Sequence, residues 1–190
     1  MIHIRKNKKQ FIINCIVLIF LLSIYSISEY ILSLYNLTFM NIVMYIFYFS
    51  FFILLIIILT QLMGILYTIS KKQSVKLSLR FMSGIGVAAV ICSMIISFIF
   101  GFFLFAFSYT PEHVVVKDGK QMVACVNSFL QVNVDYYDYV NKFVRGNKLK
   151  INEDYGNGGY DPFQSNQMPE VERYIYFDDN GEVTKSNWLN

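Results

Sequence analysis

Most of the side chains that could do chemistry lie beyond residue 110, where the chain holds His113, Cys125 and two acid-rich stretches. Asp154-Tyr-Gly-Asn-Gly-Gly-Tyr-Asp161 sets acids among glycines, as a cation loop would, but lacks the alternating oxygen ligands and closing Glu of a calcium hand. It is expected to be a loop. Asp178, Asp179 and Glu182 could chelate a cation, yet Asp-Asp-Asn-Gly is ordinary turn chemistry. Zinc takes three or four Cys or His ligands, and neither His113 nor Cys125 has a second such residue nearby in sequence. No serine sits in a nucleophile elbow and no glycine loop is built for phosphate. The expectation is therefore a non-enzymatic protein with no catalytic residue, no metal and no cofactor. An extracytoplasmic hydrolase, the least favoured reading, would need a cleft bringing His113 within hydrogen-bonding reach of acids.

Recognition is better represented than catalysis. Tyr136, Tyr137 and Tyr139 fall in an alternating run, and adjacent tyrosines on a regular strand point to opposite faces. One of Tyr136 and Tyr137 is then a candidate for a partner surface, because tyrosine joins a large apolar body to a polar tip. Cys125 lies in an apolar run that favours burial.

The elements that must position these residues are short strands. His113 to Lys117 and Lys120 to Val126 flank Asp118-Gly119, a strong hairpin signal. Arg173 to Phe177 and Glu182 to Lys185 flank the Asp178 to Gly181 turn, while 131–140 and 148–152 read as further strands with Gly146-Asn147 as a turn. Residues 154–170, with three glycines and two prolines, read as a long loop. Residues 110–190 are thus expected to form a small β-rich domain of five to seven strands. With Cys125 as its only cysteine it can close no internal disulfide, and at this size a core alone leaves a thin margin.

Before residue 110 the composition is different. Residues 1–109 hold only nine of the 29 Lys, Arg, Asp and Glu side chains. This excludes a single soluble globule, a disordered chain and a nucleic-acid binder with a basic face. A bilayer core of ~30 Å takes about 20 apolar residues as helix. Three spans are predicted, over residues 11–32, 41–67 and 82–107, within a transmembrane region of residues 11–109. The fold class is a membrane α-helical protein with three transmembrane helices and a small C-terminal β-rich extracytoplasmic domain. The first stretch also loosely resembles a signal peptide, with Ser26 and Ser28 near a cut, which would leave the topology of the rest unchanged.

Orientation follows from basic residues. The N-terminus of residues 1–10 carries Arg5, Lys6, Lys8 and Lys9, and the loop at 70–80 carries Lys71, Lys72, Lys76 and Arg80, with no acid in either. Both are assigned to the cytoplasm, and three crossings place residues 110–190 outside. The predicted location is the plasma membrane, multi-pass. Abundant Asn, Lys, Ile and Tyr suggest an AT-rich genome and so a low-GC bacterium.

Inside the spans no ionisable group lies at mid-depth, whereas transporters and proton relays place one there. Glu29 falls near the outer end of its span, and Gln61 with Thr60 suits an interhelical hydrogen bond. The third span carries small residues at spacing four, Ala89, Ser93, Ser97 and Gly101, with Gly84, Ala88 and Cys92 on the adjoining row. Lipid supplies no hydrophobic drive between helices, so small side chains that permit close approach mark a packing face. The second span, another copy and a different membrane protein all fit it. These features lead to an accessory or interaction protein that presents a β domain to a ligand or partner, or that shields a membrane target as immunity proteins do. The alternative is an auxiliary subunit of a transporter or exporter. The expected partners are the lipid bilayer and a membrane protein or second copy, and not nucleic acid.

Overall fold

The computed structural model describes residues 2–73, 75–164 and 169–187, with the side chains of residues 2–7 left aside. Helix α1 (Ile2–Leu34) is followed by a short strand β1 (Leu37–Phe39), then by helices α2 (Asn41–Lys71) and α3 (Leu77–Ser108). Six strands complete the chain: β2 (Glu112–Lys117), β3 (Lys120–Asn127), β4 (Gln131–Tyr139), β5 (Val144–Asn157), β6 (Arg173–Phe177) and β7 (Val183–Ser186). The chain divides into two compact units, residues 1–26 with 46–106 and residues 27–45 with 107–190.

All three helices are long and apolar enough to cross a membrane. They extend past the expected spans, α1 most of all, where Arg5, Lys6, Lys8, Lys9 and Gln10 are good helix formers. Within the helical unit the half-buried positions of α1 recur at Phe11, Asn14, Leu18, Leu21 and Tyr25, one face of a helix. Tyr25 stacks on Phe47 of α2 at 3.9 Å, and Arg80 donates to the Ser70 carbonyl at 3.0 Å, satisfying the open end of α2.

In the second unit the sheet is an antiparallel meander in the order β2 to β7. Asp118 and Gly119 both have positive φ, the mirror-image turn that suits a two-residue hairpin. Met122 to Val126 of β3 are all buried, with Met122, Ala124 and Val126 in one apolar cluster and Val123 and Cys125 in another. Burial on both faces explains why this strand reads as a continuous apolar run.

Two expectations are corrected here. Gly146-Asn147 is not a turn; both residues lie inside β5, and Gly146 is paired with Leu37. The reversal comes earlier, where the Asn141 side chain accepts the backbone N–H groups of Phe143 and Val144 at 2.9 and 3.0 Å. The long loop predicted from residue 154 starts later, because β5 continues through Asp154, Tyr155 and Gly156 to Asn157.

Strand β1 was not expected at all. Asn36 ends α1 with φ 55°, a conformation asparagine tolerates. The next three residues then extend and pair antiparallel with β5, Thr38 opposite Arg145.

Candidate functional site

At the start of α2, the buried backbone N–H of Asn41 donates at 2.6 Å to the Glu112 carboxylate, which belongs to β2, 71 positions away. A carboxylate at a helix N-terminus meets both an unsatisfied donor and the favourable end of the helix dipole. The other Glu112 oxygen accepts Arg145 Nε at 3.0 Å and lies 3.5 Å from Cys125 Sγ. The Asn41 amide reaches the Thr110 carbonyl at 2.9 Å, and Tyr45 Oη both accepts the Thr110 N–H and donates to the Ser108 carbonyl. Met40 donates to the Phe143 carbonyl at 2.8 Å. One junction therefore joins the start of α2, the end of α3 and strands β2, β3 and β5.

Around it, burial pushes the Cys125 thiol up to about 12, more than the Arg145 guanidinium offsets, and this keeps it protonated. Tyr137 and Tyr139 are half-buried on this face, packed against the Met40, Val123 and Cys125 cluster. The Arg145 guanidinium lies over the Tyr137 ring at 4.0 Å, a cation–π contact. Burial raises the Tyr137 phenol above its ordinary value.

Tyr136 points to the opposite face and is fully buried. It is withdrawn from the partner-surface candidates, because its hydroxyl is committed to a buried carboxylate. Glu153 accepts Tyr136 Oη at 2.6 Å and Tyr155 Oη at 2.9 Å on one oxygen, and Lys117 Nζ at 2.5 Å on the other. Burial first, then the bonds to Glu153 and Tyr155, hold the Tyr136 phenol far above the ordinary tyrosine value. The charge of Glu153 is thus paired and its lone pairs are used.

His113 meets an acid after all, with Nε2 2.7 Å from Asp161 Oδ2 and its ring 5.0 Å from that of Phe163. Asp161 can orient this imidazole. Among the described residues no hydroxyl or thiol hydrogen-bonds the ring as a nucleophile would. Among them also, no three His, Cys, Asp or Glu side chains gather as a metal-binding group.

The predicted packing residues of α3 divide between two faces. Ser93, Ser97 and Gly101 are half-buried, and a methyl group at Gly101 would touch the Phe52 ring of α2 at 3.4 Å. Gly84, Ala88 and Ala89 are exposed, with nothing within 4 Å of a methyl group built on Gly84. The tightest approach is at Gly86, where a methyl would lie 3.1 Å from Leu66, and the buried neighbours on that row are Ser83 and Val90. Spacing by four alone missed this row because a helix face advances by three and four alternately. Gln61 accepts a hydrogen bond from Asn14 of α1 at 3.1 Å. Asn14 was visible as a lone amide in an apolar stretch. The Glu112 to Asn41 contact had no comparable local signal.

Compared with family models, with curated proteins and with solved structures, the chain finds no match.

Proposed function

We propose that this protein is a non-enzymatic accessory or interaction protein of a bacterial plasma membrane, in which three helices span the bilayer and carry a β domain on the extracytoplasmic side. The N-terminus and the short connection after α2 lie in the cytoplasm. The pairing of β1 with β5 carries this reading. It joins the α1–α2 connection to the C-terminal sheet, so both occupy one side of any membrane the helices cross. Two crossings between them, by α2 and α3, require that arrangement, and the placement of the basic residues supports it independently. Large apolar side chains exposed along all three helices further support a lipid surround.

The functional part of the reading rests on how the polar groups are used. The Cys125 thiol is protonated, the Glu112 and Glu153 carboxylates are paired with Arg145 and Lys117, and the junction holds the sheet to helix ends. These are the properties of a presented domain rather than of a reactive pocket. The domain would bind an external ligand or peptide, or shield a membrane target. The exposed row at Gly84 and Ala88 favours a second reading, an auxiliary subunit docked laterally on a transporter or exporter. Affinity purification in detergent with mass spectrometry separates the two. A stoichiometric permease supports the subunit. Capture only by an external peptide or ligand supports the presented domain.

A further inference from the structure

We propose that the turn between β3 and β4, residues 128–130, is a lipid-contact surface that seats Phe129 and Leu130 in the bilayer interface; this rests on the membrane-spanning reading above. Phe129 and Leu130 are 66% and 77% exposed, at a tip where turn chemistry favours small polar residues. Their exposure is built in. Gly158 donates to the Leu130 carbonyl and Gly159 to the Ser128 carbonyl, each at 2.8 Å, so the turn's backbone is held by the loop that follows β5. A methyl group at Gly158 would come within 2.7 Å of the Leu130 backbone, so only glycine allows this close approach. The backbone is fixed while both apolar side chains stay outside the core.

Lipid is the occupant that fits. The Phe129 ring meets Phe107 edge-on at 5.2 Å, and Phe107 stands in the last turn of α3, a helix long and apolar enough to cross a membrane. Phe107 and the next aromatic, Tyr109, are themselves exposed. The turn thus continues an apolar helix end rather than forming an isolated patch. No charged residue lies between Asn127 and Gln131, and aromatic side chains flanked by amides and hydroxyls suit the headgroup boundary.

The test uses the full chain in phosphatidylcholine and phosphatidylglycerol vesicles, with the native tryptophan removed by Trp188→Phe. Phe129→Trp and, separately, Leu130→Trp report on the turn, and Phe98→Trp reports on α3. The expected result is that lipid brominated near the headgroup quenches Phe129→Trp and Leu130→Trp, while aqueous iodide does not. Quenching of both turn reporters by iodide alone, with Phe98→Trp quenched by brominated lipid, overturns this inference and leaves the membrane reading intact. Shielding of the turn reporters from both quenchers means a protein covers the turn and also overturns it. Failure of brominated lipid to quench Phe98→Trp as well overturns both readings.

Discussion

A thiol pushed up to about 12 by burial stays protonated at pH 8, and the thiolate is the reactive form. With Cys15 and Cys92 replaced by alanine, Cys125 should react with maleimide far more slowly in the native protein than in denaturant. Equal rates would mean that the junction does not close over it. Tyr136 supplies a second handle. Burial and the bond to Glu153 raise its folded-state pKa above the ordinary value of 10.0, which favours the neutral phenol in the fold. That contribution is complete below pH 10 and is lost as pH rises beyond it, because only the unfolded phenol ionises there. Tyr136→Phe should lose about 2 kcal/mol at pH 7, within the range for a hydrogen bond to a charged group. Above pH 10 it should fall off less steeply than the native chain in denaturant titrations. Parallel curves would remove the phenol from the account. The sequence placed Tyr136 and Tyr137 on opposite faces by alternation alone. It did not reveal which was buried, because that depends on Glu153 arriving from β5 across a ladder with register shifts.

Among the elements, those with local signals were legible and those made by distant pairing were not. Both hairpins stood out through Asp118-Gly119 and the Asp178 to Gly181 turn, where the Asp178 carboxylate takes the N–H groups of Asn180 and Glu182. Strand β1 was hidden because three residues between two apolar helices carry no periodicity, and their strand character comes from β5. Its presence also bears on the stability of the sheet. Residues 27–45 join the C-terminal segment in one compact unit, and Met40 and Val43 cover the second apolar face. The domain is larger than residues 110–190, which offsets the thin margin expected of that segment alone. Glu112 is the element-scale test. Glu112→Gln keeps the shape but removes the charge facing Arg145, whose side chain is only 14% exposed. A loss of about 3 kcal/mol is expected, within the range for breaking a buried pair. An unchanged melting temperature in detergent would show the junction to be incidental. On α3, Gly86→Leu must displace Leu66, whereas Gly84→Leu meets open space. The first should lower the yield of folded protein. The second should leave the yield intact and reduce recovery of any lateral partner. Equal tolerance of both would discount the close approach at Gly86.

For the whole molecule, the charge count and the β1–β5 ladder are independent arguments, since one concerns basic side chains and the other backbone pairing. They can be tested apart. Phe39 and Val144 are directly opposite in the ladder. Antiparallel partners have Cα atoms roughly 4.5–5.5 Å apart, within the span of a disulfide. The double substitution Phe39→Cys with Val144→Cys, on a background with Cys15, Cys92 and Cys125 replaced, should cross-link under mild oxidation whichever way the protein is inserted. Failure to cross-link would separate the α1–α2 connection from the sheet and undo the three-span reading. Orientation needs single cysteines at exposed positions. Asn180→Cys lies in the β6–β7 turn and Gln73→Cys in the connection after α2. A membrane-impermeant maleimide added to intact cells should label Asn180→Cys and spare Gln73→Cys until the membrane is permeabilised. The reverse pattern, with the ladder still cross-linking, would keep the fold and turn the protein over, placing the sheet in the cytoplasm. The partner would then have to be sought on that side, because a domain reaches only what shares its compartment.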